Sequence, residues 1–282
     1  MTTATLLVSC PDGLGLVARL AHFIWAHNGN IIHADHHRDQ VRNCFLSRLE
    51  WELAGFRLPR EAIAPEFSRL AEELNAVWQL SFSDQLPRLS VWVSKQNHCL
   101  LDLLWRRQAG ELRAEIPLII SNHPELDGLA RQYCVDFYHL PITPATKHQQ
   151  EERELELLEK YQIDGVILAK YMQVLSAEFI ARFPSIINIH HSFLPAFPGA
   201  NPYQRAYERG VKLIGATAHY VTEELDAGPI ITQEVIPVSH RDSVADLIRK
   251  GRDAERAALS KAVYLHLENR VLAYGNRTVI FD

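Results

Sequence analysis

The sequence predicts an α/β protein in two parts, on three observations. Strand-like and helix-like runs follow the order β-α-β-β-α-β over roughly the first 80 residues. After residue 88 the apolar strands become continuous instead of alternating. Helical stretches separate those later strands. The first observation predicts a small ferredoxin-like split βαβ unit. The other two predict a mostly parallel sheet, covered by helices on both faces.

Each element has its own warrant. TLLVSC (4–9) is a short buried strand and PDGLG turns the chain. Leu16, Val17, Leu20, Phe23 and Ile24 recur at helical spacing, and Gly29 suits the end of that helix. IIHADHH is a second strand. Phe45, Leu49, Trp51 and Leu53 alternate along a third, with Arg48, Glu50 and Glu52 on its other face. Ile63, Phe67, Leu70, Leu74 and Val77 trace a second amphipathic helix, and WQLSF is the fourth strand. The polar break SDQLPR (83–88) reads as a linker, so the expected domains are 1–84 and 85–282. LSVWVS (89–94), IPLIIS (116–121) and GVILA (165–169) are apolar throughout, as strands buried on both faces must be. Helices are expected over 99–107, 125–133 and 148–161. SIINIH is a further strand that runs straight into HSFLPAFPGA. Ligands bind such sheets at the carboxyl ends of the strands, which is where Asn188 and His190 fall.

Composition excludes several classes of function. Net charge is −5 and no basic stripe is present, so no nucleic-acid partner is expected. No apolar run approaches the roughly 18 residues that span a bilayer. The start, MTTATLLVSCPDG, lacks a basic leader region, so a cytoplasmic protein is expected. Cys10, Cys44, Cys99 and Cys134 have no metal-ligand spacing and read as buried reduced thiols. On a strand, His33, Asp35 and His37 of HADHH would share one face and His36 the other. That is too little to hold a metal unaided, and an interface or a solvated face is the plainer reading.

The polar residues around the stretch NIHH suggest chemistry. Asn188 offers a neutral amide donor, His190 a donor or a proton, and Asp226 a carboxylate that keeps an imidazole protonated. Together they suit attack on a carbonyl, with Asn188 and His190 donating to the oxygen as it becomes an oxyanion. No GxSxG and no other placed nucleophile is present, so transfer would go directly to water or to a bound amine. The plainer alternative has Asn188 capping a turn and His190 as a hydrogen-bonded core histidine.

NIHHSFLPAFPGANPYQRAYERGVKLIGATAHYVTEELDAGPII resembles the core signature of the 10-formyltetrahydrofolate-dependent formyltransferase family. The resemblance implies a Rossmann-like domain in which Asn188, His190 and Asp226 are catalytic, with no metal and no cofactor. VILAKYMQVLS (166–176) resembles the family's folate cleft, which implies that backbone groups near Gln173, Val174 and Leu175 hold the pteridine ring. Gln173 stands where many transformylases carry Arg. CPDGLGLVARLAHFIWAHNGNII (10–32) looks like an ACT domain, a regulatory module that often binds amino acids. The combination resembles the deformylase branch of the family, and SKQNHCLLDLL and AYGNRTVIF fit that branch too. That branch hydrolyses 10-formyltetrahydrofolate to formate and tetrahydrofolate. It implies formate supply to purine synthesis, a folate substrate, and a homo-oligomer, dimer or tetramer.

The loop KQNHC, after the strand LSVWVS, bears on the acceptor. A transformylase needs glycines there so that backbone N–H groups can cradle a phosphate, and this loop has none. Water is therefore the expected acceptor. Transfer to an amine such as glycinamide ribonucleotide is the alternative, with Lys95 pairing with the phosphate. A folate-binding ACT sensor without turnover is the second alternative, and the intact trio argues against it. Four more residues are expected near the substrate or beside the trio. His219 faces the cleft from GATAHYV, and Thr222 precedes Asp226 in its loop. His98 either positions water or caps the next helix. His191 is either structural or a second polar wall, and on an extended backbone it points away from His190. Asp12, Gly13, Gly15 and Asn30 are the candidate effector contacts, at the first turn of the ACT-like helix and at its far end.

Overall fold

A computed structural model describes residues 2–195 and 202–282. The end of the segment HSFLPAFPGA, from position 196, lies outside the described residues. The chain forms two compact units, one of residues 1–86 with 268–282 and one of residues 87–267.

The first unit opens with β1 (Thr3–Pro11), α1 (Leu16–Ala26), β2 (Ile31–Asp39), β3 (Cys44–Glu52), α2 (Arg60–Leu74) and β4 (Val77–Phe82). These strands form an antiparallel sheet in the order β2-β3-β1-β4, the ferredoxin-like arrangement. Leu20, Ile24, Ile63 and Phe67 from the helices pack on Leu6, Val8, Leu49 and Trp51 of the sheet. Val77, placed on the second helix by its spacing, instead opens β4. Asn75 takes a left-handed conformation (φ 49°) and closes α2 one turn early.

The second unit runs β5 (Arg88–Val93), α3 (His98–Gln108), β6 (Glu115–Ser121), α4 (Asp127–Gln132), β7 (Asp136–His139), α5 (Lys147–Lys160), β8 (Gly165–Leu168), α6 (Ala177–Arg182), β9 (Ile186–His190), α7 (Pro202–Arg209), β10 (Leu213–Tyr220), β11 (Ile230–Pro237) and α8 (Val244–Leu267). Its seven strands lie in the order β11-β10-β9-β8-β5-β6-β7. Pairing is parallel from β9 to β7, and β10 and β11 add antiparallel strands. The continuous apolar runs are buried as expected: Val91, Trp92, Ile119, Ile120, Val166 and Ile167 are all at or near zero exposure. The 24-residue α8 starts at a reciprocal cap. Ser243 Oγ accepts from Asp246 N–H (3.2 Å), and Asp246 Oδ2 accepts from Ser243 N–H (3.0 Å). No described helix is long and apolar enough to cross a membrane.

The C-terminal hairpin, β12 (Val271–Tyr274) and β13 (Arg277–Ile280), belongs with the first unit, not with the second as the linker alone suggested. The reason is an apolar demand on the first sheet. Leu7 and Leu46 point away from α1 and α2, and Phe281, Leu272 and Val279 cover them. Arg48 on the same face donates from Nε to Asn269 O (3.0 Å). The third strand's outer face was expected to be polar. It is instead mixed, because a hairpin distant in sequence lies over it. Cysteine placement also departs from expectation: Cys10 and Cys99 are buried, but Cys44 is half-buried and Cys134 exposed. Cys134 occupies a turn with φ 54° after α4, where the side chain leaves the core.

Candidate active site

The site begins with register. Asn188 and His190 are two apart on β9, so they share a face. β10 runs antiparallel beside it and sets His219 opposite Asn188 and Thr217 opposite His190. Asn188 Nδ2 lies 3.1 Å from His219 Nε2, and His219 Nδ1 lies 2.8 Å from Tyr220 O. A carbonyl only accepts, so Nδ1 carries the proton and Nε2 accepts from the Asn188 amide. Burial pushes the His219 pKa down, which keeps the ring in this neutral form. His219 is thereby a fixed acceptor that orients the amide.

Asp226 reaches the same point from the loop after β10. Its backbone is left-handed (φ 56°), a conformation that Asp tolerates. Gly228 lets this loop close on β10, since a Cβ there would sit 1.8 Å from Tyr220 O. Thr222 Oγ1 donates to Glu224 O (3.2 Å) and tightens the turn. Asp226 Oδ2 lies 3.2 Å from His190 Nδ1. That hydrogen bond holds the Asp226 carboxyl below the usual range, although burial opposes it. His190 Nε2 is buried with no partner among the described residues.

These groups line a cleft of about 260 Å³. Its apolar walls include Leu168, Ile180 and Val221, and Gln173, Val174, Leu175, Thr222 and His219 also line it. The loop carrying Gln173 to Leu175 is fastened from behind by α5. Tyr171 Oη donates to Glu154 Oε1 (3.0 Å), and Ser176 donates to Glu151 from its N–H (2.9 Å) and its hydroxyl (2.6 Å). Burial raises the Glu154 pKa to about 8, against the pull of the Tyr171 bond.

His98 does not line this cleft. It begins α3, where Asn97 takes the capping position without a side-chain bond, and its Nε2 lies 2.6 Å from Glu255 Oε2. Glu255 also meets Tyr203 Oη (2.8 Å) and Lys170 Nζ (3.3 Å), and Lys170 Nζ lies 3.1 Å from His191 Nδ1. Lys170, Glu255, Tyr203, Glu151 and Glu154 were not anticipated from sequence. Lys170 carried a signal, as a lysine ending a fully apolar strand. The glutamates did not, because on a helix they read as solvent-facing. His98, Cys99 and Glu255 have metal-like proximity, but the Lys170 charge and the burial-raised Cys99 thiol both oppose a cation there.

The candidate effector residues flank α1, with Asp12, Gly13 and Gly15 before it and Asn30 after it. Asp12 pairs with Arg38, Asn30 donates to Glu52 (3.2 Å), Gly13 faces open space, and Gly15 (φ 76°) caps α1. HADHH lies on the edge strand β2, where His36 Nδ1 meets Ser47 Oγ at 2.9 Å.

A family model described as formyl transferase matches residues 87–263. A formyltetrahydrofolate deformylase of Synechocystis is 64% identical over 279 residues, covering 99% of this chain and 98% of the relative. One of Bacillus subtilis is 45% identical, with 98% and 93% covered. The crystal structure of a formyltetrahydrofolate deformylase from Pseudomonas syringae aligns with a TM-score of 0.97 at 43% identity, covering 100% of this chain and 95% of that one. A glycinamide ribonucleotide transformylase 1 from Symbiobacterium toebii aligns at 0.66 and 35% identity, covering 72% of this chain and 98% of that one. Identity of this depth, running through nearly the whole length, makes the chain a member of the formyltetrahydrofolate deformylase family.

Proposed function

We propose that this chain hydrolyses 10-formyltetrahydrofolate to formate and tetrahydrofolate by direct attack of water. The observation that carries the mechanism is the trio. Asp226 engages Nδ1 of His190, so Nε2 is the atom left to meet the formyl oxygen. Asn188, turned by His219, is the second donor to that oxygen. Water adds to the formyl carbon and forms a C–O bond. The charge on oxygen is held by the Asn188 amide and by the Nε2–H of His190. The C–N10 bond then breaks, N10 takes a proton, and formate and tetrahydrofolate leave. Asp226 holds the His190 ring by Nδ1 and relays to N10 the proton that the attacking water sheds. No metal or cofactor enters this route.

The pteridine ring is held by the loop from Gln173 to Leu175. Met172 and Val174 there are more than half exposed, as apolar side chains waiting for a flat ligand would be. Water is favoured over an amine acceptor because the loop after β5 is free of glycine, so its backbone cannot approach a phosphate closely. In the finer reading, released formate feeds purine synthesis. The first unit is an ACT module, with an amino acid as its candidate effector, and the chain works in the cytoplasm as a dimer or tetramer. The experiment is to incubate the protein with 10-formyltetrahydrofolate without any amine, beside His190→Ala. Steady formate release, lost in the variant, supports the reading. Turnover only after glycinamide ribonucleotide is added would replace water with an amine. No turnover in either case would leave a folate-binding sensor.

A further inference from the structure

We infer that His191 holds the attacking water, and that the buried Lys170–Glu255 pair sets the ring for that task. The inference rests on the hydrolytic reading above and adds the place of the nucleophile.

Adjacent residues on a strand point to opposite faces, which predicts that His191 turns away from His190. It does not. β9 ends at His190, the backbone leaves the sheet, and the two rings stack at 4.9 Å between centroids with 17° between planes. His191 also lines two clefts. One is the folate cleft. The other, of about 610 Å³, is bounded by Gln96, Tyr203, Gln204, Arg252 and Glu255. Lys170, Met172 and His191 border both. Water entering by the second cleft therefore meets His191 where that cleft adjoins the trio.

The tautomer of His191 follows from its neighbour. An ammonium only donates, so Lys170 Nζ at 3.1 Å makes Nδ1 the acceptor and leaves the ring proton on Nε2. That N–H can donate to a water oxygen and orient its lone pair. The ring is neutral as well: burial first, then the charges of Lys170 and His190, bring its pKa down to about 4, against Glu255 and Asp226. Tyr203 is the other titratable ring beside it, with centroids 6.4 Å apart.

Much of the local structure serves the lysine. Lys170 is 6% exposed and adopts φ 68°, a conformation that is strained for a side-chain-bearing residue and persists where surroundings impose it. Glu255 neutralises it and takes further bonds from His98 and Tyr203. Burial works to raise the Glu255 pKa, but His98, Lys170 and Tyr203 together bring it down to about 2.

Hydroxylamine provides the test, because it competes with water for the formyl group. Formate and formylhydroxamate are measured for the wild type, His191→Ala, His191→Gln and Lys170→Met, with the uncatalysed reaction subtracted. In His191→Ala, formate release should fall about 10- to 100-fold, with KM for the folate within about twofold. The hydroxamate share should rise, because only the water has lost its holder. His191→Gln, whose amide N–H reaches near the Nε2 position, should recover part of the formate rate. In Lys170→Met the acid-side inflection of formate release should move to higher pH than in the wild type, because one of the charges that keep His191 neutral is gone. An unchanged formate-to-hydroxamate ratio in His191→Ala, or a loss of folate binding equal to the loss of rate, overturns the inference while leaving the hydrolase intact. A Lys170→Met profile identical to wild type removes the lysine's part. A wild type that releases no formate overturns the hydrolytic reading, and this inference with it.

Discussion

His190 Nδ1 sits 3.2 Å from Asp226 Oδ2, while the opposite nitrogen of the same ring is buried without a partner among the described residues. One edge of the imidazole is thus committed to a carboxylate, and the proposed mechanism gives the other to the substrate. Asp226→Asn tests this arrangement cleanly, because Asn also tolerates the left-handed backbone at that position. It should lower kcat about 10²- to 10³-fold with little change in KM. The Asp226 pKa is lowered in the folded state, so its stabilising contribution is present above the ordinary value of 3.8. That contribution is lost as pH falls through the lowered value. Melting curves should therefore separate wild type from variant at neutral pH and converge in acid. Curves that stay apart at every pH would show that the carboxylate charge is not what matters.

The Asn188–His219 pair makes a second, smaller prediction. His219 acts through Asn188 by fixing which way the amide points. His219→Phe removes the acceptor and should reduce kcat about tenfold, less than Asn188→Ala, whose loss should approach 10²-fold. His219→Gln, which retains an acceptor oxygen, should restore part of the rate. Equal losses in His219→Phe and Asn188→Ala would give His219 a direct role in the reaction.

Sequence pattern exposed β9 and the shared face of Asn188 and His190 because those distances are short in register, whereas Asp226, far along the chain, is reached only through the family resemblance. Asn188 and His190 are two apart, and the glycine that seats Asp226's loop is two residues beyond it. Glu255 escaped because a glutamate on a long helix reads as solvent-facing; only docking of α8 turns it inward beside Lys170. The position of His98 after β5 allows either a water contact or a helix cap, and neither reading anticipates that it spends its ring nitrogen on that same glutamate. The C-terminal hairpin was missed for a related reason. Alternation along β3 reports two faces, but not which distant segment covers the second one.

That covering segment can be weighed. Phe281 is 1% exposed against Leu7 and Leu46. Phe281→Ala should cost about 3–5 kcal/mol, as large-to-small changes in cores do. Hydrogen exchange locates the damage: amides of β1 and β3 should lose protection, and those of β8 and β9 should keep it. Uniform loss across both units would mean that they unfold as one.

Glu154 predicts a pH effect on the cleft loop proposed to hold the folate. Its pKa rises from 4.5 to about 8, so the unfolded chain sheds this proton long before the folded one does. Stability must then fall as pH rises from 4.5 to about 8. Glu154→Gln keeps an acceptor for Tyr171 and removes the proton. The variant should match wild type near pH 5 and melt higher at pH 8. Its KM for the folate should also stay flat where the wild-type value climbs. Parallel melting curves across that range would show that Glu154 is ionised throughout.

Gly251 offers a test in which two effects have opposite signs. A glycine inside a helix costs about 1 kcal/mol relative to alanine, so Gly251→Ala on propensity alone should stabilise α8. A Cβ there, however, would lie 2.0 Å from Tyr203 Oη, the hydroxyl that donates to Glu255. The clash should win, because the phenol must leave both its packing and its bond to a buried carboxylate. Gly251→Ala should therefore lower the melting temperature. In a Tyr203→Ala background the clash is gone and the same substitution should raise it, a change of sign that a double-mutant cycle reads directly. Stabilisation by Gly251→Ala in the otherwise wild-type chain would mean that Tyr203 yields easily and that its bond to Glu255 contributes little.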